Sequence, residues 1–204
     1  GPVALIGAAQ CVEITDIKHT AKSGPLGSIN ATRHPLPIPY CSKSKLVQLN
    51  IEVDKKILFP KSYPYTSSTT QILRQNFSQL RKEIDKNNFL KKNDLIIDIG
   101  SNDGNLLSNF KDKYKVLGVT PENIGKIAIK KGIPTIIDYF DENIVTKILK
   151  KYKKAKIITA TNVFAHITQV NKLVKNIKKC LRDDGVFISE SHYLLSLIDT
   201  NQHN

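Results

Sequence analysis

Asp98, Gly100 and Gly104 stand in the spacing D-x-G-x-x-x-G within LIIDIGSNDGNLL, residues 95–107, where an apolar run enters an acidic turn. Leu95, Ile96, Ile97 and Ile99 predict a strand buried on both faces, and the glycines let the chain bend sharply before a helix begins near Asn105. The backbone amides and short side chains of Gly100, Ser101, Asn102, Asp103 and Gly104 suit a carboxylate and an ammonium group. This is a nucleotide-type pocket. Its spacing departs from the G-x-G-x-x-G of dinucleotide sites, so a pyrophosphate on the helix N-terminus is not the obvious ligand. A ligand with an amino-acid end fits better.

The elements that must position these residues alternate from Leu95 onward. Strands are expected at Leu95–Ile99, Lys115–Val119, Thr135–Ile137, Lys156–Ala160 and Val186–Ser189. Helices are expected from Asn105, over Pro121–Lys131, Glu142–Lys150 and Thr168–Leu181. Five strands with intervening helices predict an α/β fold, a parallel sheet wound on both faces. Before it, Ile72, Leu73, Phe77, Leu80 and Ile84 recur at helical spacing in Gln71–Asn87, an amphipathic helix that packs on the sheet. Residues 1 to about 60 hold Pro25, Pro35, Pro37, Pro39 and Pro60 and read as loops and short strands.

Ligands of such sheets sit beyond the carboxyl ends of the strands, where the winding reverses. Besides the glycine loop, that rim receives Thr120, Pro121 and Glu122, then Asp138, Tyr139 and Phe140, then Asn162, Val163, Phe164 and His166. Each has a second reading. The glycines can simply make a tight turn, Tyr139 and Phe140 serve equally as core or as adenine wall, and Asp138 can cap a helix. His166 can start a helix or stand near a reacting carbon.

With 204 residues and 40% hydrophobic content the chain can bury one full core and a small appendage. No apolar run is long enough to span a bilayer, and Ala4–Cys11 lacks the basic leader of a secretory signal, so a cytoplasmic location is expected. The start at Gly1-Pro2 and the absence of Met suggest a processed beginning. Cys11, Cys41 and Cys180 are too few and scattered for a disulfide framework. The net charge of +13 raises nucleic acid as a partner. Yet Arg occurs only at Arg33, Arg74, Arg81 and Arg182, and dispersed Lys, densest in Lys147–Lys156, reads as a solvated face, so nucleic acid is not the expected partner.

Several separated blocks together resemble a known family, the S-adenosylmethionine-dependent C-methyltransferases of nucleotide-linked deoxysugars, which carry an N-terminal zinc-binding module. The blocks are LVQLNIEVDKKILFPKSYPYTSST from Leu46, DIGSNDGNLL from Asp98, VLGVTP from Val116, GIPTIIDYF from Gly132, NVFAHI from Asn162 and DDGVFISESHYLLSLI from Asp183. The resemblance implies a Rossmann-like class I methyltransferase sheet with S-adenosylmethionine as cofactor. It divides the chain into a degenerate zinc-module-like region at 1–68, a linking helix at 69–90 and a cofactor-binding domain at 91–204. Gly100, Ser101, Asn102 and Gly104 would hold the methionine part, Thr120 and Pro121 the ribose, Asp138 and Phe140 the adenine, and Asn162 the rim near the sulfonium. Asp98, Tyr139 and Val163 complete that cofactor set. Tyr63, Tyr65 and Ser67 would reach the substrate, a small nucleotide sugar.

Three departures qualify the resemblance. The zinc module's Cys-x-x-Cys pairs retain Cys11 and Cys41, but Ile14 and Ser44 stand in place of their second cysteines. No zinc is therefore expected, although His19 or His34 offers a further ligand. Thr120 stands where many members place an acid for the ribose hydroxyls. The family's Tyr-His-Glu-His block and a further domain follow the region of Ser191–Gln202, and the sequence stops at Asn204. C-methylation needs a base to remove a proton beside a keto group, which leaves His166, His192 and Tyr193. His166 is the best placed, since an imidazole titrates near ~6.5 and a phenol near ~10. Val186–Ser189 would then be an open sheet edge, a route to oligomers. Two other functions stay open: an inactive cofactor-binding interaction protein, and an RNA methyltransferase or RNA-binding module. A hydride-transfer reading is weaker because the glycine spacing differs.

Overall fold

The computed structural model describes residues 11–14, 38–43, 47, 61, 65–167 and 169–191. Tyr63, His192 and Tyr193, with His19, His34 and Ser44, lie outside the described residues. The chain divides into two compact units, Gly1–Asp54 and Lys55–Asn204. In the first, β1 (Cys11–Ile14) pairs antiparallel with β2 (Ile38–Cys41), a register that sets Cys11 opposite Cys41. Tyr40 makes one further bridge with Val47.

The second unit begins, among its described elements, with a 3-10 turn at Ser67–Thr69 and helix α1 (Gln71–Lys86). Then follow β3 (Leu95–Ile99), α2 (Asn105–Ser108), β4 (Lys115–Thr120), α3 (Gly125–Lys130) and β5 (Thr135–Ile137). The chain continues through α4 (Glu142–Tyr152), β6 (Ala155–Thr161), α5 (Val170–Cys180) and β7 (Leu181–Glu190). The strands form one parallel sheet in the order β5-β4-β3-β6-β7. The chain thus enters at the centre, runs outward through β4 and β5, and returns to build β6 and β7 on the other side. The winding reverses between β3 and β6.

Alternation along β3 feeds two cores, as expected for a strand buried on both faces. Leu95, Ile97 and Ile99 join Leu117, Val119, Ile158 and Ala160 beneath α4 and α5, which contribute Ile144, Val145, Ile148, Leu173 and Ile177. Ile96 turns the other way, with Val116 and Ile157, onto Phe77 and Ile84 of α1, Leu106 and Leu107 of α2, and Ala128 of α3.

Element boundaries differ from the sequence expectation where turns intervene. Helix α3 starts at Gly125 because Glu122, Asn123 and Ile124 first form i to i+3 turns onto Gly125, Lys126 and Ile127. Strand β7 starts at Leu181, directly after α5. Leu181 already pairs with Ala155, and a register irregularity before the Ile157–Val186 pair absorbs Arg182–Gly185.

Candidate functional site

The carboxyl ends of β3, β4 and β6 collect buried polar side chains. Asp98, Ser101, Asp103, Asn105, Thr120, Glu122 and Thr159 are all buried there, and among the described residues Asn176 alone is a buried polar group elsewhere. Because desolvating polar groups costs free energy unless they are paired, their concentration at the winding reversal marks the site.

The glycine loop is built by close packing. Gly100 has φ of 75° and Gly104 of 78°, left-handed conformations that favour glycine. A Cβ on Gly100 would lie 2.2 Å from Val163 Cγ2, and one on Gly104 would lie 2.6 Å from Ile133 Cδ1. The glycines therefore have a packing role whatever the loop binds: Gly100 lets β3 and the segment after β6 close together, and Gly104 seats the loop on α3. The amides of Gly100 and Ser101 donate to Val119 O at 2.8 and 3.2 Å, while Gly104 N donates to Ser101 O at 2.9 Å. The amides of Asn102 and Asp103 donate to no group among the described residues.

Ser101 Oγ is buried without a hydrogen-bond partner among the described residues and sits over Gly118, where a Cβ would approach it to 2.4 Å. Asn102, itself at φ of 50°, accepts from Ser67 N at 3.0 Å and donates to Tyr65 O at 3.0 Å. Asn105 donates to Ser67 O at 3.1 Å. Asp103, fully buried, accepts from Ser67 Oγ at 2.8 Å and pairs with Lys131 Nζ at 2.9 Å. Burial opposes its charge, but the bonds from Ser68, Lys131 and Ser67 outweigh burial and hold the carboxyl below its ordinary range. The described part of the YPYTSS block, Tyr65–Ser68, thus lies on the glycine loop through Tyr65 and Ser67.

Asp98 is wholly buried near the end of β3 and accepts from Thr159 Oγ1 of β6 at 2.6 Å. Burial pushes its carboxyl up to about 7, with the Thr159 hydrogen bond pulling the other way.

After β4, Thr120 is buried and its hydroxyl bonds the carboxylate of Glu122. A carboxylate two residues on thus bonds the threonine that stands where the resemblance expects an acid. Pro121 is half-buried beside it. After β5, Asp138 accepts from Tyr139 N at 2.8 Å, Tyr139 is half-buried, and Phe140 packs on the core beneath α4 and α5. After β6, Asn162 has φ of 55°; its backbone N donates to Glu190 O at 2.8 Å and its amide reaches Glu190 Oε1 at 3.3 Å. Glu190 Oε2 also accepts from Asn76 of α1 at 2.7 Å. Nothing in the sequence marked this long-range carboxylate. Val163 and Phe164 pack on the core, and His166 stands exposed on the 3-10 turn Phe164–His166.

The residues present fit a cofactor with an amino-acid end: two amides and a hydroxyl without partners among the described residues stand at a left-handed turn, next to a buried carboxyl. The thiol of Cys180 takes no part, since burial alone pushes it up to about 11.

The chain is similar to several known proteins. A family described as "Methyltransferase domain" matches residues 72–202. The C-methyltransferase NovU of Streptomyces niveus is 28% identical over 173 residues, 84% of this chain and 41% of NovU. The chain thus spans about two-fifths of that relative's length. An S-adenosylmethionine-dependent methyltransferase structure from Clostridium acetobutylicum is similar with a TM-score of 0.52 and 20% identity, over 64% of this chain and 55% of that one. The plantazolicin methyltransferase BpumL, solved with a pentazolic desmethylPZN analog and SAH, gives 0.50 and 14%, over 64% and 51%. At these identities the structures establish a shared fold. Among the described residues, no helix is long and apolar enough to cross a membrane.

Proposed function

The chain belongs to the methyltransferase domain family, and from that premise we propose that the protein methylates carbon on a nucleotide-linked keto-deoxysugar. S-adenosylmethionine is the domain's cofactor and supplies, when bound, an electrophilic methyl group. The observation that carries the finer reading is the likeness to a C-methyltransferase over 173 residues, which exceeds the span 72–202 and so continues outside the domain that methyltransferases of many kinds share.

In this reading the chain's residues divide the work. The Asn102 and Asp103 amides and Ser101 hold the carboxylate of the amino-acid end, and Asp98 lies on its cationic side. Thr120 and Glu122 take the ribose hydroxyls, because a carboxylate accepts from a diol more strongly than a hydroxyl does. Pro121 lies with the ribose, Asp138, Tyr139 and Phe140 border the adenine, and Gly100, Gly104 and Val163 shape the floor. Asn162, held by Glu190, faces the transferring group. Tyr63, Tyr65 and Ser67 address the sugar. His166 is the described candidate to take the proton beside the keto group, with His192 and Tyr193 as further candidates. The reaction belongs in a water-poor cleft, where a base within hydrogen-bond reach acts on an oriented carbon.

The test is turnover with methyl-deuterated cofactor and a nucleotide-linked keto-deoxysugar. The reading predicts a product carrying the label on a new carbon–carbon bond, seen by carbon NMR. Label on oxygen or nitrogen, or transfer to RNA with none to the sugar, would refute it.

A further inference from the structure

All three side chains of Asn102–Asn105 that can hydrogen-bond, those of Asn102, Asp103 and Asn105, do so to Tyr65 or Ser67, while the amides of Asn102 and Asp103 have no partner among the described residues. Side chain and main chain of one short loop therefore serve two different clients. A ligand bound by the amides of Asn102 and Asp103 would therefore lie on the same residues whose side chains hold the 65–70 segment.

Asp103 is the centre of this arrangement. Its carboxylate is fully buried, yet it joins three stretches distant in sequence: the segment of Ser67 and Ser68, the loop itself, and Lys131 at the end of α3. Lys131 also donates to the Asp103 carbonyl at 3.2 Å, so the lysine grips the loop by main chain and side chain together. Burying a paired charge is seldom a gain in stability over apolar packing, and its use lies in fixing one geometry. Helix α3 in turn follows the Thr120–Glu122 rim, and Asn123 N donates to Lys61 O at 3.0 Å, so Lys61 meets the same region.

We propose that Asp103 is a positioning residue that couples the cofactor loop to the segment Tyr65–Thr70, so that cofactor binding orders the acceptor-facing segment before the sugar arrives. This rests on the reading of the loop as the cofactor site. The coupling makes the order of binding cofactor first, acceptor second, and it assigns the YPYTSS block a conformational role besides contact with the sugar.

Hydrogen exchange with and without S-adenosylhomocysteine tests this in the intact protein, with binding measured separately by calorimetry. In the native protein, saturating S-adenosylhomocysteine slows exchange across residues 65–70 by about tenfold or more, the scale of one charge-assisted hydrogen bond held closed. Lys131→Gln, at a partly exposed residue outside the cofactor contacts, still binds S-adenosylhomocysteine but leaves that segment at its ligand-free rate, and Lys131→Arg restores the protection. Full protection in Lys131→Gln, or no protection in native protein with ligand bound, overturns the proposal. Absence of saturable binding by the native protein overturns the cofactor reading itself, and the coupling with it.

Discussion

Asp98 ties the chemistry of the rim to pH. Its carboxyl is raised to about 7 by burial, whereas an unfolded chain releases the proton near ~3.9. Between those values the folded state binds more protons than the unfolded state, so stability falls as pH rises. The contribution is fully present below the unfolded value and is lost as pH climbs through about 7. The ligand-free protein should therefore resist denaturant better at pH 5 than at pH 7.5, by up to roughly 1.4 kcal/mol per pH unit across that window. Asp98→Asn should remove this slope. Identical pH dependence of the urea midpoint in native protein and variant would show that the proton is not held there. The spacing marks Asp98 in the sequence, but the shift comes from burial once the two cores close, opposed by the hydrogen bond from Thr159, sixty-one positions away. Glu122 was visible as a residue and not as a partner of Thr120. Glu190 was not visible at all as the support of Asn162, because its role exists only after β6 and β7 pair.

Helix α1 shows what element-scale packing adds. Its apolar spacing places Phe77 and Ile84 in the core, as the 3.6-residue period implies. Its docking is fixed by a polar lock that periodicity does not reveal. Arg81 donates to Asp85 at 2.7 Å, to Asp112 at 3.2 Å and to the Asn109 carbonyl. Its guanidinium lies 5.2 Å from the Phe110 ring centroid and 5.0 Å from that of Tyr114. Tyr114 closes the circle by donating to Asp85 at 2.7 Å. Since α1 follows directly from the 65–70 segment, this lock also sets where that segment begins its path over the glycine loop. Arg81→Ala should lower stability by about 1–3 kcal/mol, measured by chemical denaturation, because it leaves Asp85 and a main-chain carbonyl short of their donor. A change below about 0.5 kcal/mol would mean the lock is solvated rather than structural. The strands were legible because each is an apolar run bounded by turn residues. Boundaries were less so wherever 3-10 turns or the β6–β7 irregularity replace a clean end.

At the scale of the whole molecule, a parallel sheet with a winding reversal and buried polar groups gathered at one rim forms a cofactor-binding domain. The alternating elements made the parallel, doubly wound class readable from the sequence, whereas the order β5-β4-β3-β6-β7, with its return from β5 across the centre to β6, was not. The roles of individual rim residues were less readable, since Asn102 and Asp103 could not be known to hold the YPYTSS block until the chain brought them together. The charge of +13 raises the local concentration of any phosphate-bearing acceptor and does not by itself select one. The claim on which the account depends is that the rim binds the cofactor at the glycine loop. The direct test is calorimetric titration with S-adenosylhomocysteine of the native protein and of Gly100→Arg, whose Cβ would already meet Val163. Saturable one-site binding by the native protein and none by a folded variant is the predicted result. No binding by the folded native protein, or undiminished binding by Gly100→Arg, would contradict it.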